Sequence, residues 1–117
     1  MKTLLTSAFL FCASLVFSQE KAKPLGKVII DNAQVKVTEI VSQPGKDMCG
    51  LGKHSHPAHL TVMLSDATVT VTTPTGKVMT QKVLAGTTFW SEAETHTVIN
   101  SGNATSKMQI IEYKKTK

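Results

Sequence analysis

The chain has 117 residues, a formal net charge of +5 and 13 basic residues, every one of them lysine. That length allows one domain at most. Nucleic-acid binding is not the reason for the charge: the lysines gather at the two ends, and arginine, the better phosphate ligand, is absent.

In chain order, residues 1–18 have the form of a secretory signal. Met1-Lys2 is a short positive start, Thr3 to Val16 an apolar core, and Ala13, Ser14 and Ser18 supply small residues before a cleavage point after Ser18. A membrane span needs about 20 apolar residues, and this run is shorter, giving way at Gln19-Glu20-Lys21. The expectation is a secreted or periplasmic protein with no membrane association after cleavage. The mature chain, about 99 residues long, keeps Phe89, Trp90 and Tyr113 as its aromatics. Cys12 leaves with the signal, so Cys49 is alone and no internal disulfide forms.

Residues 19–34 read as an N-terminal arm and first strand, 35–113 as one domain, and 114–117 as a basic tail. No stretch reads as helix. β-Branched residues recur with period two, and turn residues interrupt them every eight to twelve positions or so. Val28 to Asp31 and Val35 to Val41 are the first strands, with Val35, Val37 and Val41 on one face. Ser42 to Lys46 is a turn and Asp47 to Lys53 a loop. His59 to Leu64 is followed by the turn Ser65-Asp66 and by Thr68 to Thr72. Thr73 to Lys77 closes a hairpin with Val78 to Val83. Ala85-Gly86 turns into Thr87 to Trp90, a short acidic loop leads to His96 to Ile99, and Asn100 to Asn103 turns into Lys107 to Tyr113. About eight short strands without helices predict an all-β fold, a small antiparallel β-barrel or jelly roll, because closure removes exposed strand edges.

All four histidines lie in two short segments, His54-Ser55-His56-Pro57-Ala58-His59 and His96. Neutral imidazole is the commonest side-chain ligand of mid-row divalent metals. His54 and His56, two apart, point the same way on an extended segment. His59 opens the next strand and His96 arrives from a distant one, so the set is expected to hold one metal in the barrel mouth.

These residues resemble the two motifs of the cupin superfamily over about residues 35–113. His54-Ser55-His56 fills the paired histidines of the first motif, and Asp66 occupies the turn that the family closes with Gly. Counting back from Asp66 as the family counts from Gly to its Glu ligand lands on His59. Gly86, Glu92-Ala93-Glu94, His96 and Asn100 fill the second motif in order. The resemblance implies a single-domain cupin with His54, His56, His59 and His96 as metal ligands. With His59 in place of the carboxylate the ligands are all neutral, which favours Zn, Ni, Cu or Fe(II) over Mn and Mg. If His59 turns away, a three-histidine site resembling the non-haem dioxygenases of the superfamily remains.

The same resemblance implies a small-molecule ligand or substrate in the barrel and a homodimer as the assembly. The leading expectation is a dioxygenase-like enzyme acting on a small oxygenated molecule. The rivals are isomerase- or lyase-type chemistry on the same metal and a metal- or ligand-binding barrel without turnover. Glu92 and Glu94, beside His96, are the candidate catalytic carboxylates, with a plain loop role as the alternative. Cys49 is read as a small buried loop residue before it is read as a thiolate ligand. Trp90, Met63, Met79 and Met108 are expected in the core, and Asn100 is expected to make a structural turn hydrogen bond.

Overall fold

Nine strands and no helix build residues 24–115, the part of the chain that this computed structural model describes. The expected signal, residues 1–18, lies outside the described residues. The strands are β1 (Gly26–Asp31), β2 (Val35–Ser42), β3 (His54–His56), β4 (His59–Met63) and β5 (Ala67–Thr72), then β6 (Val78–Val83), β7 (Thr88–Ser91), β8 (Glu94–Asn100) and β9 (Ser106–Tyr113). They form two antiparallel sheets, one of five strands in the order β1-β2-β9-β4-β7 and one of four in the order β3-β8-β5-β6. The count exceeds the expected eight because His54–His56 pairs with β8 as a strand of its own.

Register decides which side chains meet inside. Across β2, β9 and β4, Ile40 faces Met108 and Met108 faces Met63, while Thr38 faces Ile110 and Ile110 faces Thr61. These rows carry the core, joined by Met48, Cys49, Ala67 and Val69, all under a tenth exposed. Fully burying an apolar side chain of this size stabilises the fold by about 1.5–3 kcal/mol relative to exposure.

Val35, Val37 and Val41 do share a face, but it is the outer one. The period-two pattern holds, and Ile40 and Ser42 take the interior. On that outer face Ile30, Val37, Ile111, Leu60 and Trp90 line up as cross-strand neighbours over all five strands. Trp90 is therefore not a core residue: it is 50 % exposed and donates its indole N–H to Glu92. Met63 and Met108 are buried as expected, whereas Met79 is half-exposed.

Two polar devices join the sheets. Asn100, fully buried at the end of β8, donates to the carbonyls of Ser42 and Ala104 at 3.0 Å each and accepts from the Gly102 amide. The segment after β2 hydrogen-bonds β8 through Gly45, Lys46 and Met48. The chain then reverses through Gly50 and Gly52, whose φ values of 74° and 66° fall in the left-handed region that favours glycine. That reversal feeds directly into β3.

Candidate metal centre

The segment from His54 to His59 does not lie in one sheet. His54 and His56 belong to the four-stranded sheet and His59 to the five-stranded one, so the chain crosses between layers at Pro57-Ala58. Proline suits that crossing because it has no amide hydrogen to leave unpaired between two ladders. In the β3–β8 ladder His54 is directly opposite His96 and His56 opposite Glu94. Period two places Glu94, His96, Val98 and Asn100 on one face of β8.

The four imidazoles form one contiguous cluster. Ring centroids are 4.7 Å apart for His54 and His56, 4.9 Å for His54 and His96, 5.2 Å for His56 and His59, and 6.2 Å for His56 and His96. Three rings are fixed from behind through Nδ1. His54 donates to the Gly52 carbonyl at 2.7 Å, His59 to the Pro57 carbonyl at 2.8 Å, and His96 to a Glu94 carboxylate oxygen at 3.1 Å. Because carbonyl and carboxylate oxygens only accept, the proton of each neutral ring is on Nδ1 and the lone pair is on Nε2. Such outer partners orient metal-ligating histidines and set their tautomer. Nε2 of His54 is buried and has no hydrogen-bond partner, an arrangement that costs free energy unless something accepts its lone pair. Among the described residues, the donor atoms close enough together to hold one divalent ion are those of His54, His56 and Cys49.

His56 is held differently. Its Nδ1 is 3.7 Å from a Glu112 carboxylate oxygen, beyond direct hydrogen-bond length, and its Nε2 is 3.6 Å from the Cys49 sulfur. Burial, then the neighbouring His54, His59 and His96, push its pKa down to about 4. Burial likewise lowers the pKa of His96, with Glu94 opposing. The Cys49 thiol, 5 % exposed, is pushed up to about 12, first by burial and then by Asp47.

Cys49 is buried in its loop, as expected, and it also stands at the cluster. Asp47 accepts from the amides of Cys49 and Leu51 and shapes the loop. The donor atoms of Cys49, His54 and His56 lie within 4.8 Å of one another. Glu112 was missed by sequence reading. Its signal is the inward set Met108, Ile110 and Glu112 on β9, where a carboxylate interrupts an apolar face.

A cavity of roughly 260 Å³ opens beside the cluster, with His56, His59, His96 and Glu94 on its wall. Its apolar wall includes Met48, Met63, Met79 and Met108, and no lysine among the described residues lines it. Glu94 thus faces the cavity, while Glu92 is bonded to Trp90 and is not among the lining residues. A second cavity of about 380 Å³, lined by Lys36, Ser55 and Glu112, shares the Cys49 and His56 wall.

No protein-family model matches the sequence and no curated protein does. Solved structures do match. A cupin domain protein from Bordetella pertussis aligns at 28 % identity over 82 % of this chain and 98 % of its own, with a TM-score of 0.71. An RmlC-like cupin family protein with a double-stranded β-helix fold, from Methanocaldococcus jannaschii, aligns at 12 % identity over 83 % and 85 %, with a TM-score of 0.61. The polyketide cyclase RemF from Streptomyces resistomycificus aligns at 18 % identity over 78 % and 68 %, with a TM-score of 0.57. Strand order, the cluster compatible with a metal ion and these likenesses agree: the described residues have the all-β cupin fold.

Proposed function

We propose that this cupin is an exported metalloprotein that holds one divalent transition-metal ion on His54, His56, His59 and His96. We further propose that it acts, dioxygenase-like, on a small oxygenated molecule in the adjoining cavity. The observation that carries the metal reading is the buried, unpartnered Nε2 of His54, in a ring whose Nδ1 is already spent on a carbonyl. An ion held there supplies a Lewis acid at the cavity wall.

The chain's own residues define what that cavity accepts. Four methionines and several valines offer an apolar, adaptable wall. With no lysine of the described residues on the wall and no arginine in the sequence, the wall offers no cationic clamp for a carboxylate or phosphate. The fitting substrate is uncharged and largely apolar, with an oxygen directed at the histidines. Thr61, Gln81 and Ser91 supply the hydrogen bonds that orient it. Glu94, against His96, holds a proton acceptor at the wall. One observation favours a binding barrel without turnover: Glu94 is already engaged by His96.

Export is supported by the apolar segment 1–18 with its positive start, and a mature form beginning at Gln19 is the expected product in intact-mass measurement. The apolar row from Ile30 to Trp90 supports a homodimer, because a two-fold contact needs a self-complementary patch. The deciding experiment is elemental analysis of protein purified without an affinity tag, comparing wild type with His56→Ala and His59→Ala. One equivalent of metal, lost in His56→Ala, is expected. Unchanged content in His56→Ala overturns the site, and unchanged content in His59→Ala alone moves it to a three-histidine centre.

A further inference from the structure

We propose that Cys49 is itself a donor to this ion, which makes the centre a mixed sulfur and nitrogen site selective for thiophilic metals. The inference rests on the metal-binding reading above. Three observations carry it. Sγ of Cys49 stands 3.6 Å from Nε2 of His56, so the two donor atoms face each other. The donor atoms of Cys49, His54 and His56 form the tight group, all within 4.8 Å. Nε2 of His54, in a residue only 8 % exposed, has no partner.

The distance is informative. Sulfur at about 2.3 Å and nitrogen at about 2.1 Å from one ion stand about 3.1 Å apart at a right angle and about 3.8 Å apart at about 120°. The observed 3.6 Å therefore suits two ligands of a four- or five-coordinate ion. A thiol–imidazole hydrogen bond between Cys49 and His56 has a similar length, but it leaves the lone pair of His54 unpaired inside the protein. One shared ion satisfies all three donors together. The loop is built to deliver the thiol there: Asp47 anchors the Cys49 amide at 2.9 Å, and Gly50 and Gly52 turn the chain immediately afterwards.

On binding, the S–H bond of Cys49 breaks, its electron pair goes to the ion and the proton leaves to solvent. A thiolate among imidazoles favours Zn, Cu or Fe(II) and selects further against Mn and Mg, which prefer oxygen.

The test is titration with Co(II) alone of metal-free, untagged protein recovered from an exporting host. Bound cobalt is counted by equilibrium dialysis, and the near-ultraviolet spectrum is read for thiolate-to-cobalt charge transfer. The expected result is one Co(II) per chain with a charge-transfer band that disappears in Cys49→Ser, and a Zn(II) affinity at least about tenfold weaker in that variant. One Co(II) bound with ligand-field bands but no charge transfer overturns the thiolate and leaves the histidine centre standing. A band that survives Cys49→Ser belongs to another sulfur and overturns it too. No bound cobalt or zinc overturns the metal reading as a whole. The wild-type spectrum decides the matter even if Cys49→Ser fails to fold.

Discussion

His59 on β4 stands directly across from Glu112 on β9, and Glu112 directly across from Lys36 on β2. A histidine, a carboxylate and an ammonium thus share one inward row of the five-stranded sheet, beside the row Thr38, Ile110 and Thr61 and the apolar row Ile40, Met108 and Met63. The cupin resemblance implies a carboxylate at the position of His59; in this chain a carboxylate stands on the adjacent strand. A second carboxylate at position 59 would face Glu112 at cross-strand distance, and like charges directly opposite destabilise a sheet.

His59→Glu, which introduces the carboxylate that the resemblance implies, is accordingly expected to lower stability by about 3 kcal/mol, because the new carboxylate is buried against Glu112. Combining it with Glu112→Gln is expected to recover at least about 1 kcal/mol. Urea unfolding of both variants without metal checks this. Equal stability of the single and double variants would show that the two positions do not interact.

The metal-free protein is expected to lose stability as pH falls from about 6.5 to about 4. The pKa of His56 lies at about 4 in the fold against 6.5 ordinarily, so between those values the unfolded chain binds a proton that the folded one does not. Stability therefore rises with pH across that window and levels off above it. Burial sets this balance first, followed by His54, His59, His96 and Lys36, while Glu112 and Cys49 also face the ring. Melting temperatures of wild type and His56→Gln between pH 4 and 8 test it, and a slope unchanged by the substitution would assign the effect elsewhere.

Asn100→Ala is expected to cost about 2–4 kcal/mol. It strips two donors and one acceptor from a buried junction and leaves the Ser42 and Ala104 carbonyls unpaired. Asn100→Asp keeps the shape but replaces the donating amide with an oxygen, and is expected to be at least as damaging. Chemical denaturation of the metal-free forms separates this loss from any effect at the histidines.

Chelation is expected to lower the melting temperature reversibly. An ion present at about 100 times its dissociation constant stabilises the folded state by about 2.7 kcal/mol. His54→Gln removes the unpartnered nitrogen and is expected to abolish most of that shift. A chelator effect of equal size in wild type and His54→Gln would detach the ion from this ring.

The all-β class and the positions of most strands were readable from period-two alternation and turn residues, and β6 falls at the expected bounds. The inward direction of β2 was not, because alternation marks two faces without saying which is covered. Val37 is buried on the outer face while Ile40 is buried on the inner one, so hydrophobicity alone could not choose between them. Trp90 misled for the same reason.

Four histidines in two segments, with the spacing of the paired motif, were sufficient for the chain alone to nominate a metal cluster. Spacing along one strand sets which side chains point together, and that is a local property. Tertiary structure decided what surrounds those rings. Glu112 reaches His56 from β9, and a loop shaped by Asp47 sets Cys49 at 3.6 Å from the same ring. Both arrive from segments whose approach depends on sheet register and on the crossing at Pro57, and no pattern within either segment encodes that meeting.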